Sequence, residues 1–216
     1  MKISCSNLNT FTSKIKFVPT EEFDEKYGIN FGFDNRVCDK PKILAEAVTD
    51  GIFSCVAGGL TANQKIHMWH FLPVSILQTP KKTMREFLEQ NKKLGDKEQN
   101  GLIIGGGYQS KPSIEAFKIL LKIINKKGID LNKNVSLFWH SKDAGRASHV
   151  AYNGKEDTWY ISFAELSNDN TLNEKINIIK AKYEYCYICA TDEVVIQDKP
   201  IARELINSQD TFTVLS

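Results

Sequence analysis

Residues 48–56 read Val-Thr-Asp-Gly-Ile-Phe-Ser-Cys-Val, and His70 follows fifteen residues after the cysteine. Thr49, Cys55 and His70 are residue types that serve as orienting group, nucleophile and base in cysteine hydrolases. A thiol attacks only as its thiolate, so it needs a nearby imidazole or several backbone donors to lower its pKa. The imidazole needs a third group to fix its tautomer, and a threonine can provide it. The spacing therefore predicts a Cys-His-Thr site; the alternative is a Cys55 that is a small buried hydrophobe.

This stretch also carries a resemblance to a known family. Thr49-x-Gly51-x-x-Ser54-Cys55-Val56, followed by His70-Phe71-Leu72-Pro73, resembles the chemoreceptor glutamine deamidases (CheD). That family has a T-x-G-x-G-S-C-V run and then a strand that ends in a catalytic histidine before Leu-Pro. The run Gly105-Gly106-Gly107, and Arg146 with Tyr152, are similar to later blocks of the family. The likeness covers roughly residues 45–163, and bacterial deamidating toxins of the cytotoxic necrotizing factor type share the same Cys-His core.

The chain departs from the family at two points. Phe53 stands where the family has glycine, and the interval from Cys55 to the histidine is shorter. His70 also lies one residue closer to its Leu-Pro, so His67 and His70 both stay open as the catalytic histidine. On a strand over residues 65–71 these imidazoles point to opposite faces, so only one can meet the thiol. The same divergence, with no third ligand nearby, argues against a metal site.

The resemblance implies hydrolysis of a protein glutamine side-chain amide to glutamate, with release of ammonia. Cys55 would attack the amide carbon, His70 would act as base and acid, and Thr49 would orient His70. The oxyanion would be stabilised by backbone near the thiol, at Gly51, Ser54 and Gly106. No metal or organic cofactor is needed for this chemistry.

The expected partner is a protein that carries the target glutamine, and the enzyme is expected to act as a monomer. Extra segments at both ends favour an effector or toxin-like deamidase, delivered into another cell by a specialised secretion system, over a chemotaxis enzyme. Two further alternatives stay open. One is transglutamination on the same scaffold, and the other is a non-catalytic binding module, which the bulky Phe53 favours.

Composition narrows the class of protein. The chain has 216 residues with 28 basic and 26 acidic side chains, so nothing suggests a nucleic acid or an anionic membrane as partner. No segment is apolar for long enough to span a bilayer or to act as a secretory signal. Five cysteines at irregular spacing argue against a disulfide framework and for a reducing, cytoplasmic compartment.

The order of short strands and helices predicts one α+β domain over residues 1–216. The resemblance adds that two mixed sheets pack face to face, with helices at 83–94 and 113–127 outside them. The first of these helices would begin at a capping box from Thr83 to Glu86, and Gly58-Gly59 would form a tight turn. Further segments are predicted as strands at 13–18, 29–33, 65–71, 102–104, 135–140, 159–163 and 185–190, and as helices at 174–185 and 200–207.

Several other polar residues invite a functional interpretation. His140 and His149 are further candidates for the base, although hydrogen-bonded or surface histidines explain them more simply. Cys186-x-x-Cys189 resembles half of a zinc or redox site. Because no second pair accompanies it, two packed thiols are the better interpretation.

Overall fold

The computed structural model describes residues 13–28, 35–37, 41–95, 99–105, 111–129, 134–140 and 147–187. Within these ranges the chain has ten strands and five helices. The strands are β1 (Lys14–Phe17), β2 (Lys42–Leu44), β3 (Glu46–Ile52), β4 (Val56–Ala62), β5 (Lys65–Phe71), β6 (Asn100–Gly105), β7 (Val135–His140), β8 (Ser148–Asn153), β9 (Thr158–Phe163) and β10 (Tyr183–Tyr187). The helices are α1 (Thr20–Tyr27), α2 (Pro73–Gln78), α3 (Pro80–Lys92), α4 (Lys111–Lys126) and α5 (Leu172–Lys182).

The strands form two mixed sheets. The smaller sheet has the order β1-β9-β8-β3, with β1 parallel to β9 and the other neighbours antiparallel. The larger sheet has the order β10-β7-β6-β4-β5-β2, and only its β6–β7 pair is parallel. The predicted α+β class with two mixed sheets is therefore confirmed at this level.

The two sheets bury a shared apolar layer between them. Side chains of the smaller sheet such as Ile52, Val150 and Trp159 belong to the same buried cluster as Met68 and Phe138 of the larger sheet. Residues on the two inner faces of packed sheets alternate with residues that point outward. His70 and Thr49 come from opposite sheets, so this layer is where they can meet.

Helices cover the outer faces of both sheets. On the larger sheet, α4 presents the apolar positions expected from its sequence, namely Ile114, Phe117, Leu121 and Ile124, and all four are buried. Helix α1 covers the smaller sheet through Phe23 and Tyr27. No helix in the described part of the chain is both long and apolar enough to cross a membrane.

The helix predicted at 83–94 begins earlier than expected, and the predicted capping box is wrong. Helix α3 starts at Pro80, and Thr83 lies inside it, where its N–H bonds to the carbonyl of Thr79. Proline at the first helical position has a suitable φ and lacks only an N–H that would be unpaired there anyway. A capping box does occur at the start of α5, between Thr171 and Glu174.

The turn predicted at Gly58-Gly59 is also wrong, because both glycines lie in the middle of buried strand β4. Gly58 has a φ of +147°, and a Cβ there would collide with the backbone carbonyl of Leu102 on the neighbouring strand. A Cβ on Gly59 would lie 2.6 Å from the Ile66 side chain. The glycines serve close packing within the sheet, and they do not reverse the chain.

The remaining segments agree in part with the sequence. Strands at 65–71 and 135–140 have the predicted bounds. The turn from β8 to β9 begins at Asn153-Gly154, a dipeptide that is typical of β-hairpins. The helix predicted over 174–185 ends at Lys182, and its last residues are strand β10 instead. The predicted strand at 29–33 and helix at 200–207 lie outside the described residues.

Gly58→Ala is expected to destabilise the protein by about 3 kcal/mol, because the methyl group overpacks a backbone contact in the centre of a sheet. Gly128→Ala is the matched control: φ there is +88°, but a Cβ would meet nothing within 4 Å. We expect it to cost only about 1 kcal/mol from the left-handed backbone. Urea unfolding of both variants measures the difference, and equal losses would contradict the close approach of β6.

Candidate active site

Thr49 and His70 meet between the two sheets. Thr49 lies on β3 of the smaller sheet and is completely buried, whereas His70 is half-buried near the end of β5 of the larger sheet. Thr49 Oγ1 and His70 Nδ1 are 2.7 Å apart, which is a hydrogen bond. Two of the three residues predicted for the site are therefore in direct contact.

A second hydrogen bond of Thr49 determines which proton His70 carries. Thr49 Oγ1 also lies 2.7 Å from the backbone carbonyl of Val37, which can only accept. The single hydroxyl proton is used in that bond, so Thr49 must accept the Nδ1–H of His70. The neutral imidazole then has its lone pair on Nε2. This is the tautomer in which Nε2 can take a proton, and it follows from a backbone carbonyl twelve residues before the threonine.

Val37 is held in place by the strand that carries Thr49. Its N–H donates to the carbonyl of Val48 at 2.9 Å. Beside it, the Arg36 guanidinium lies 2.8 Å from the carboxylate of Asp50 in a partly exposed ion pair. Val48, Thr49 and Asp50 of β3 thus hold residues 36–37 in place, and the Val37 carbonyl in turn orients the Thr49 hydroxyl.

Cys55 lies immediately before β4, in a short bend that connects the two sheets. The register of β4 and β5 places Ala57 opposite His70 and Val56 opposite Phe71. Cys55 directly precedes the first paired residue of β4, and His70 is the last but one residue of β5. The thiol and the imidazole are therefore at the same end of the β4–β5 pair.

The bend before β4 is fixed by contacts to its backbone. The hydroxyl of Ser113, in the first turn of α4, donates to the carbonyl of Ser54 at 2.7 Å. His140 Nδ1, at the end of β7, lies 3.3 Å from the carbonyl of Phe53. On the third side, a Cβ added to Gly105 would lie only 2.9 Å from the carbonyl oxygen of Cys55. Three different elements therefore define the path of the chain into the cysteine.

These contacts also orient two backbone donors. In a trans peptide the C=O and N–H groups point in opposite directions, and the described chain has no cis bond. Because the Phe53 carbonyl points at His140 and the Ser54 carbonyl at Ser113, the N–H of Ser54 points away from His140 and the N–H of Cys55 points away from Ser113. A backbone N–H beside a nucleophile is the kind of donor that can stabilise an oxyanion.

The Cys55 thiol is 8% exposed, and burial raises its pKa. A hydrogen bond with the Ser54 side chain acts in the opposite direction and lowers the pKa. Because the thiolate is the form that attacks, reaction at Cys55 requires that a base take the thiol proton.

The other histidines occupy different environments. His67 points away from His70 and packs under α3, where its Nδ1 lies 3.3 Å from Asn91 Oδ1. His149 lies on the outer face of the smaller sheet against Phe23, beside a cavity of about 200 Å³ that Asp24 and Asp50 also line. Neither imidazole reaches the space between the sheets.

The other predicted site residues are placed as follows. Gly51 is exposed, with a φ of +67°, in an irregularity of the β3–β8 register between Thr49 and Ile52. Ser54 is half-buried next to the thiol. Gly106 and Arg146 lie outside the described residues. In the described ranges, no three His, Cys, Asp or Glu side chains are grouped so that they could hold a metal ion.

Three contributors to this geometry were not identified from the sequence. Val37 acts through its backbone carbonyl, for which no side-chain pattern exists. Ser113 was noted only as the start of a helix, and His140 only as a spare base.

No protein-family model and no curated protein matches the chain.

Thr49→Val is expected to remove the tautomer preference of His70, because Nδ1–H loses its acceptor. The same change leaves the Val37 carbonyl without its donor and should cost about 1 kcal/mol of stability. ¹⁵N chemical shifts of the labelled imidazole report which nitrogen is protonated. Thr49→Ser should keep the wild-type pattern. Thr61→Val should keep it too, because it removes a buried threonine hydroxyl on a different strand, β4. An unchanged His70 spectrum in Thr49→Val would contradict the hydrogen-bond assignment.

His67 should make the stability of the protein depend on pH. Burial lowers the pKa of His67 to about 4, despite the hydrogen bond with Asn91. The folded state favours neutral His67. This preference contributes fully to the free energy of unfolding above the unfolded pKa of about 6.5, and the contribution is lost as the pH falls towards 4. The loss across this window is about 3 kcal/mol. Urea unfolding at several pH values should show a flatter dependence for His67→Phe than for wild type, and parallel curves would contradict it.

Proposed function

We propose that the protein is a cysteine-dependent amidohydrolase that converts a protein glutamine to glutamate. The observation that carries the proposal is the chain of hydrogen bonds from Val37 through Thr49 to His70. It directs the Nδ1–H of His70 to Thr49, at the end of the β4–β5 pair where Cys55 precedes β4. A base oriented by a third group beside a thiol is the arrangement of nucleophilic cysteine catalysis.

The first half of the reaction forms a thioester. His70 Nε2 takes the thiol proton as Cys55 sulfur bonds to the γ-carboxamide carbon, and the carbonyl electrons move onto oxygen. A backbone N–H beside Cys55 would stabilise that oxyanion. The C–N bond then breaks, the proton on His70 passes to the departing nitrogen, and ammonia leaves.

The second half restores the enzyme. His70 removes a proton from water, and the hydroxide oxygen bonds to the thioester carbon. The C–S bond breaks, the thiolate recovers a proton through His70, and the product is glutamate. Water is the co-reactant that balances these steps. If a primary amine replaces water, the same intermediate gives transglutamination.

A protein substrate is supported by the surface next to His70. Leu72, Val74 and Leu77 follow it in sequence, and 52%, 51% and 36% of their surfaces are exposed. Large apolar side chains exposed together are typical of surfaces that contact proteins. The proposed setting, an effector or toxin-like enzyme that acts in another cell, rests on the resemblance described above.

A non-catalytic binding module is the second candidate, and one observation favours it. The pKa of the Cys55 thiol is raised by its burial, as for a packed structural cysteine. In that case the hydrogen bond between Thr49 and His70 would serve only to satisfy polar groups between the sheets.

Alkylation of Cys55 by iodoacetamide from pH 5 to 9, followed by mass spectrometry of its peptide, separates these candidates. If His70 acts as base, labelling should reach a plateau near neutral pH. His70→Ala should then slow it by about a hundredfold at pH 7, while His67→Ala leaves it unchanged. A rate that climbs steadily to pH 9 and is the same in His70→Ala would identify the binding module.

Hydrolysis itself is measured by ammonia release from a glutamine-rich protein such as β-casein, with Cys55→Ser as control. Added methylamine tests the transglutaminase alternative. Hydrolysis predicts ammonia release and a gain of one carboxylate on glutamine, whereas transglutamination predicts release that rises with the amine and methylamide on the product.

A further inference from the structure

His140 is a buried polar side chain that the proposed reaction does not use. It is completely buried at the end of β7, and it stacks on the ring of Tyr183 with centroids 5.4 Å apart. Its Nδ1 faces the Phe53 carbonyl at 3.3 Å, and its Nε2 lies 3.0 Å from the hydroxyl of Ser148. The Ser148 hydroxyl in turn lies 3.0 Å from that of Tyr183.

The donor and acceptor of each hydrogen bond in this series can be assigned, starting from the Phe53 carbonyl. Burial lowers the pKa of His140 to about 3, so the imidazole is neutral and carries one proton. The Phe53 carbonyl can only accept, so that proton is on Nδ1 and Nε2 accepts from Ser148. The Ser148 proton is then used, and Tyr183 must donate to Ser148. Each group has one consistent role.

From this geometry we infer that His140 is a positioning residue for Cys55, and that Ser148 and Tyr183 hold its imidazole in the tautomer that the bend requires. The inference rests on the proposed function. His140 fixes the Phe53 carbonyl, and the planar peptide transmits that orientation to the N–H of Ser54, next to the nucleophile. His140 itself touches no reacting atom.

The arrangement explains why a histidine stands at this place. An apolar side chain would remove the imidazole donor that holds the Phe53 carbonyl in this orientation. The bend would then relax, and small displacements of a catalytic group can reduce rates by about a hundredfold. The partners of His140 come from β8, next to β3 in the smaller sheet, and from β10, the edge strand of the larger sheet, so the position of Cys55 depends on both sheets.

The test is the pH profile of Cys55 alkylation by iodoacetamide in His140 variants of the full chain. His140→Phe keeps the ring beside Tyr183 but has no donor. We expect it to lose the neutral plateau and to slow labelling at pH 7 at least about tenfold. His140→Asn should restore most of the rate, because its amide nitrogen is as many bonds from the backbone as Nδ1.

His67→Phe is the matched control, since it replaces another completely buried histidine on the opposite face of the larger sheet. Both phenylalanine variants are expected to change Tm, but only His140→Phe should change the labelling profile. Equal profiles in the two variants would overturn the inference. If His140→Phe does not fold, Ser148→Ala interrupts the same chain one step further and should also slow labelling.

The outcome for the wild-type protein keeps the two proposals apart. A wild-type profile that does not depend on His70 overturns the proposed function, and this inference with it. A profile that depends on His70 but is unchanged by His140→Phe and Ser148→Ala overturns only the positioning role.

Discussion

The hydrogen bond between Thr49 and His70 joins the two sheets across a layer that is largely apolar. Burying a hydroxyl and an imidazole there is costly unless both are satisfied. Thr49 meets that requirement because it both donates and accepts, and Val37 supplies the carbonyl. One requirement of burial therefore fixes the relative position of the sheets, the tautomer of a histidine and the place of a short preceding segment. The site follows from the packing of the fold.

The buried histidines of this protein show how environment separates identical side chains. His67 and His140 are both neutral because burial disfavours their charged forms. They differ in the acceptor that faces Nδ1. In His67 it is the Asn91 side chain under a helix, and in His140 it is a backbone carbonyl near Cys55. His70 is less buried, and it is the one that meets a threonine across the sheets.

Local patterns in the sequence predicted what depends on near neighbours. Alternation along β5 placed His67 and His70 on opposite faces, and Asn153-Gly154 marked a hairpin. Long-range contacts were not predictable in this way. The prediction of a turn at Gly58 was wrong, because glycine is needed there for the close approach of a backbone carbonyl on another strand. The role of His140 likewise depends on β8 and β10. Val37 acts through its backbone, which carries no residue-specific signal. The deamidase chemistry remains a prediction from the resemblance and the site.

The strands at the sheet edges determine how far the chain can be shortened before unpaired backbone is exposed. Strand β1 covers the edge of β9, β10 covers the edge of β7 and β2 covers the edge of β5, yet all three lie outside residues 45–163. A fragment trimmed to that range would present three rows of unpaired backbone amides and carbonyls, which invite pairing between molecules. It would therefore tend to aggregate. The segments on either side of residues 45–163 thus protect sheet edges that would otherwise be open.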